Sequence, residues 1–491
     1  MPSLWNWGIS VLGLLALPQC IQAKAVFAHF MVANTQNYTL ADWTSDITLA
    51  KASSIDAFAL NAGYGASENE QSFRNAFSVA QELDFKLFFS LDYSTTKNTT
   101  WPKEKVVDLL RNYSTHSAYF RHDNGQALVS TFEGFSAEDQ WSDIKSELAK
   151  DKNVGKDKCC FFIPDWTSVG PKRASEPDVV DGLLSWDAWP YGAQEMNTTE
   201  DKLYMDILGT KPYVMPVSPW FYTNLKQFDK NWVWRGDDLW YTRWQQILGI
   251  QPQPEYVEII TWNDYGESHY IGPVREHALG VVTEGAPFDY VEGMPHDGWR
   301  ANLPFLIQQY KSGGTGEGDN VKIEEEVLTA WYRLSPANAC GDGKTSGNSE
   351  ESGQKLLKPG EVLEDKVFFS AVLESNADVK VSIGDQTRTA EWSDRPDGGK
   401  GMYYGSIGFE RQTGEVVVAL ERDGETLAEM KGNEISDSCP RNLTNWNAWV
   451  GNATAKKTGQ TADGDAGENV SVKLGLGSVW VLGIAAFLID L

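Results

Sequence analysis

Two acids three residues apart, Asp264 and Glu267, stand in the run YVEIITWNDYGESHYIG (residues 256–272), with Gly266 between them and His269 just beyond. So dense a group of carboxylates, imidazole and aromatics is costly to bury and ill suited to a plain turn. Paired carboxyls are what glycosidic hydrolysis requires: one protonates the leaving oxygen while the other acts from the opposite side of the sugar. Trp262 and Tyr265 supply flat faces that match a pyranose ring. When the reaction inverts the anomeric centre, the two carboxyls stand about 6.5–9.5 Å apart so that a water fits, and a third acid nearby raises one partner's pKa. Asp92, just after the apolar run 85–91, is the expected third acid. Glu267 is expected as general acid and Asp264 as general base, with Asp92 supporting or replacing one of them. The plainer roles are a capped turn for Asp264 and Glu267, and a helix N-cap or ion pair for Asp92.

These residues need a scaffold that brings distant segments to one place. Val257, Ile259 and Ile260 form a nearly continuous apolar run, the pattern of a strand buried on both faces, and Gly266 is expected to let the backbone bend past its end. Similar runs precede it at 25–32, 55–60, 85–91, 127–132, 160–163, 182–184 and 212–217. Helix-like stretches at 40–51, 68–84, 103–113 and 137–150 lie between them, and another at 299–311 follows the last. Eight alternations over about 290 residues predict an α/β fold, a (β/α)8 barrel, with active groups at the C-terminal ends of the strands. His29, Asn61, Glu133, Asp165 and Asp187 stand at such ends and are candidate sugar ligands, though each alone suits a structural role as well. Trp166, Trp189, Trp220 and Trp262 are candidate stacking platforms, with barrel core as the plain alternative. His269 is expected to bond the substrate, to orient Glu267, or to serve a buried structural role.

The whole chain has 491 residues, too many for one ordinary domain, and a formal charge of −26, which argues against nucleic acid or an anionic membrane surface as partner. Residues 1–23 read as a signal peptide, since the apolar core is too short to span a bilayer. Seven N-x-S/T sequons, at Asn37, Asn98, Asn112, Asn197, Asn442, Asn452 and Asn469, agree with export. Cys340 and Cys439 flank one region and are the expected disulfide, worth up to roughly 4.7 kcal/mol for a loop of about 100 residues. Cys159 and Cys160 are either a vicinal disulfide or two buried thiols. The barrel is expected over 24–311, a Gly-rich linker over 312–321, a β-sandwich over 322–449, and a flexible stalk with a polar spacer over 450–473. The apolar tail 474–491 has the layout of a glycosylphosphatidylinositol signal, so membrane contact is expected only through a lipid anchor. No phosphate-cradling loop, dinucleotide fingerprint, nucleophile elbow or metal-ligand spacing occurs, so neither cofactor nor metal is expected.

The stretches AVFAHFMVANTQNYTLADWTSDITLAKASSIDAFALNAG, LFFSLDYS, FFIPDWTS and TWNDYGESHYIG resemble the corresponding motifs of glycoside hydrolase family 71, the fungal endo-1,3-α-glucanases also called mutanases. The resemblance covers residues 24–310 and most of the predicted strands. It implies a (β/α)8 barrel with a β-sandwich, an inverting reaction, α-1,3-glucan of the fungal wall as substrate, and essential acids at Asp92, Asp264 and Glu267. The expected protein is a secreted monomer. Its rivals are a wall-binding protein without turnover and a glucan-remodelling transglycosylase, which would need a retaining geometry.

Overall fold

Among the described residues, eight of the apolar runs pair as one parallel sheet, because strands buried on both faces gain from apolar side chains on both. The structure, a computed structural model, describes residues 24–94, 100–314, 321–349, 353 and 355–455. The signal peptide, the tail, residues 315–320 of the linker and the sequons at Asn98 and Asn469 lie outside the described residues. In chain order the strands are β1 (Ala25–Met31), β2 (Ala57–Gly63), β3 (Lys86–Asp92), β4 (Ala127–Phe132), β5 (Cys159–Phe162), β6 (Leu183–Leu184), β7 (Tyr213–Val217), a hairpin of β8 (Tyr222–Leu225) and β9 (Lys230–Val233), and β10 (Tyr256–Ile259). The sheet runs β5-β4-β3-β2-β1-β10-β7-β6. Asp165 bridges Phe132 on one side and Leu184 on the other, which closes the ring. Helices α1 (Leu40–Ala52), α2 (Asn69–Glu82), α3 (Lys103–Tyr113), α4 (Glu138–Lys150), α5 (Gly170–Ala174), α6 (Thr199–Leu208), α7 (Leu239–Gly249), α8 (Gly280–Gly285) and α9 (Leu303–Lys311) alternate with the strands. The expected barrel is present.

Register decides which side chains line it. Phe27 pairs with Ala57 and His29 with Ala59; Ala59 then pairs with Phe88, Asn61 with Ser90, and Gly63 with Asp92. Side chains alternate along a strand, so the face that carries Phe27 and Phe88 also carries His29, Asn61, Ser90 and Asp92. That face is the lumen: Phe27 meets Phe88 at 4.9 Å and Tyr256 at 5.2 Å across the ring. Aromatics plug the N-terminal half, and the polar residues rise above them toward the C-terminal mouth.

Nine further strands, β11 (Val327–Tyr332), β12 (Lys366–Leu373), β13 (Asp378–Ile383), β14 (Gln386–Ala390), β15 (Trp392–Asp394), β16 (Gly401–Gly408), β17 (Gly414–Arg422), β18 (Glu425–Ile435) and β19 (Trp449–Thr454), pair antiparallel in two sheets, β15-β16-β12-β11-β19 and β14-β13-β17-β18. Their apolar faces meet around Leu328, Phe369, Val381 and Val418, as expected of a sandwich. The sandwich runs on past residue 449: β19 pairs with β11 through Thr454, so a stalk does not begin at 450. Barrel and sandwich, as far as they are described, fall in one compact unit. Tyr241 stacks on Tyr404 at 4.4 Å, and the Trp331 indole donates to the Asp237 carbonyl at 2.6 Å. Disulfides join Cys340 to Cys439, as expected, and Cys159 to Cys160, the first of the two alternatives.

Candidate active site

After β10 the chain folds back on itself and is pinned at both ends. Thr261 donates its N–H to the His269 carbonyl at 2.9 Å, and Gly272 donates to Trp262 at 2.7 Å. Asn263 acts as a substitute strand partner, its side chain accepting from the Met31 N–H at 2.7 Å and donating to the Met31 carbonyl at 3.1 Å. Inside this loop the Glu267 N–H donates to Asp264 Oδ1 at 3.0 Å, so the two acids sit side by side. Gly266 does not supply a left-handed bend; Ser268 does, with φ 56°. A Cβ on Gly266 would stand 3.0 Å from Leu225 Cδ1 of β8, so the glycine leaves room for the hairpin's close approach.

His269 is wholly buried, while the side chains of Asp264 and Glu267 keep 18% and 16% of their surface. The imidazole accepts or donates at both nitrogens: Nδ1 lies 3.2 Å from Thr261 Oγ1, and Nε2 lies 3.0 Å from Glu267 Oε2 and 4.0 Å from Asp264 Oδ2. Lys230 of β9 places its ammonium on Glu267 Oε1. Burial alone would raise the Glu267 pKa, but the Lys230 charge and the His269 hydrogen bond outweigh it and hold the carboxyl at about 2. Asp264 moves the other way, raised chiefly by burial and also by the Glu267 charge, against the opposing pull of His269 and Lys230. Of the two carboxyls, Asp264 is therefore the one that holds a proton more readily. Asp264, Glu267 and His269 present ligating atoms within 4.8 Å of one another, a donor set that could hold a divalent ion, but Lys230 already brings a cation to Glu267.

Asp92 ends β3 on the lumen face, at the same mouth and separated from β10 by β1 and β2. Its Oδ1 accepts from the N–H and hydroxyl of Ser94 at 2.8 and 2.7 Å, which orients the carboxyl.

A family model described as glycosyl hydrolase family 71 matches residues 22–463. The chain belongs to that family. A glucan endo-1,3-alpha-glucosidase of Schizosaccharomyces pombe is 36% identical over 435 residues, which is 87% of this chain and 94% of that protein. A mutanase of Penicillium rubens is 32% identical, over 87% of this chain and 88% of its own length. An ascus wall endo-1,3-alpha-glucanase of S. pombe is 31% identical over 66% of this chain and 75% of its own.

The other residues expected at the site of this family 71 hydrolase divide sharply. His29 and Asn61 are buried in the lumen; His29 Nδ1 lies 2.7 Å from Glu258 Oε1, and its ring meets Trp186 edge to face at 4.8 Å. Glu133 and Asp165 belong to loop hydrogen bonds, Glu133 accepting from the N–H and hydroxyl of Ser168, and Asp165 Oδ1 from the N–H and hydroxyl of Thr167 at 3.1 and 2.5 Å. Asp165 is fully buried, and burial pushes its carboxyl well above the usual range, helped by Glu133 and opposed by Thr167. Asp187 is half-buried and pushed up to about 6, by burial first and the Glu200 charge second.

Of the four tryptophans chosen as platforms, Trp166, Trp220 and Trp262 are core residues, with at most 1% of their surface exposed. An indole that no ring can reach cannot stack on sugar. Trp220 instead donates its N–H to the Trp446 carbonyl at 3.0 Å and so ties barrel to sandwich. Trp189 is half-buried and lies 5.3 Å from the His269 ring, beside Phe221. Three residues escaped the sequence reading. Trp186 and Trp234 are half-buried indoles near these groups, Trp234 meeting Phe221 at 6.4 Å, and Lys230 stands four residues after Lys226 in a polar stretch with no motif to mark it.

Proposed function

We propose that this family 71 hydrolase cleaves internal α-1,3-glucosidic bonds of a fungal wall glucan with inversion at the anomeric carbon. The observation that carries this reading is a half-exposed acid pair on one side of the barrel mouth, with a third lumen-facing acid on another. Asp264 and Glu267 are too close to act from opposite sides of a sugar: their ligating oxygens are within 4.8 Å, and a shared hydrogen-bond network holds them side by side. An inverting pair needs about 6.5–9.5 Å. The reading is therefore that the pair forms the acid pole and Asp92 the base pole. The pair's proton goes to the glycosidic oxygen as the C1–O bond breaks. Asp92 takes a proton from the water whose oxygen bonds to C1, and exchange with solvent restores both groups. Half-buried Trp186, Trp189 and Trp234 are the indoles best placed to meet glucose rings.

The substrate rests on two of the relatives, named as a glucan endo-1,3-alpha-glucosidase and an ascus wall endo-1,3-alpha-glucanase. An exported, glycosylated monomer with a lipid anchor fits the same reading. Asn37, Asn112, Asn197, Asn442 and Asn452 are all exposed, and no described helix is long and apolar enough to cross a membrane. Purified protein incubated with insoluble α-1,3-glucan should release reducing ends, and Asp264→Asn or Glu267→Gln should abolish the release. Binding without release would favour a wall-binding protein, and release undiminished in both variants would overturn the assigned site.

A further inference from the structure

The hairpin of β8 and β9 is docked on the acid pair more closely than a surface loop needs to be. Tyr222 donates its N–H to the Glu267 carbonyl at 3.0 Å, Leu225 fills the space that a side chain on Gly266 would need, and Lys230, paired with Leu225 across the hairpin, reaches Glu267 Oε1. The next residue is held from the sandwich side, with Asn231 Oδ1 accepting from Thr345 at 2.8 Å. Glu267 thus has one oxygen on the Lys230 ammonium and the other on His269, whereas Asp264 has one oxygen on an N–H and the other 4.0 Å from His269, beyond hydrogen-bond reach. We propose that Lys230 is a positioning residue that keeps Glu267 ionised and fixes the pair's single proton on Asp264, making Asp264 the acid that meets the glycosidic oxygen.

This inference rests on the hydrolase reading above and sharpens it. The charged and titratable groups that face the pair are His269 on its own segment, Lys230 from the hairpin, Tyr290, whose hydroxyl donates to the Gly266 carbonyl at 2.7 Å, and Asp92 at the same mouth. Of these Lys230 alone is a permanent cation near neutrality, so its removal lets the pair hold a proton more tightly and lets Glu267 compete for it. In Lys230→Met the alkaline limb of kcat/KM should move up by about one pH unit, with kcat down about tenfold and KM nearly unchanged. Lys230→Arg should restore both. The limb's position does not depend on how much enzyme is folded, so a merely structural loss would lower the profile without moving it. An alkaline limb that overlays the parent's overturns the inference while leaving the hydrolase reading intact; an inactive parent overturns that reading itself. Carbon-13 titration of the Asp264 carboxyl gives the same decision without turnover, since its step should rise in Lys230→Met and stay put if the inference is wrong.

Discussion

On the arc of the mouth between β3 and β10, Asp92, Asp264 and Glu267 keep carboxyl oxygens within reach of solvent, and the pair answers to Lys230 and His269 from its surroundings. On the arc between β4 and β6, Glu133, Asp165 and Asp187 are the same residue types at the same strand ends, yet Glu133 and Asp165 accept from loop N–H and hydroxyl groups and Asp187 from the Ser185 hydroxyl at 3.5 Å. The first arrangement splits two proton affinities apart. The second satisfies a turn. Asp92 shares the turn pattern of Asp165, accepting an N–H and a hydroxyl from the residue two positions on, so what separates the arcs is the cation that the Asp264–Glu267 pair receives from Lys230.

The comparison breaks if variants on the two arcs behave alike. Asp264→Asn, Glu267→Gln and Asp92→Asn should each lower kcat by about 10³- to 10⁴-fold with unfolding midpoints near the parent's, as read by reducing-end assay and thermal melts. Next in size, Trp262→Ala should destabilise the fold by about 3–5 kcal/mol in denaturant titration, since its indole is core. Trp189→Ala should instead raise KM about tenfold and leave stability nearly unchanged. Smallest, Asp165→Ala should cost about 1–3 kcal/mol of stability through the lost Thr167 bonds, with kcat per folded molecule unchanged. A fall in kcat for Asp165→Ala comparable to that of Asp264→Asn would erase the distinction between the arcs.

Much of the scaffold was legible because apolar runs of strand length are hard to explain otherwise: β4 and α3 fall where the residue pattern puts them, and the other main barrel strands begin or end within a few residues of it. The hairpin was not, because YTNL and KNWV are short and half polar and pair with each other rather than with the barrel. With it went Lys230. Strand β19 was hidden for a related reason: it is an edge strand with alternating burial, and Gly451, Asn452 and Thr454 read as loop. The closeness of Asp264 to Glu267 follows from their spacing in the sequence, but the cation beside Glu267 does not, since Lys230 stands 34 positions before Asp264. Tryptophan is ambiguous by nature, suiting a core and a sugar ring equally, and only burial told Trp189 from Trp166, Trp220 and Trp262.

In the proposed mechanism, acids from separate strands act on a bound glucan from opposite sides. Proton NMR of α-1,3-gluco-oligosaccharides during the first turnovers tests it most directly. The β-anomer should accumulate first and then mutarotate; initial appearance of the α-anomer would mean retention and contradict the account.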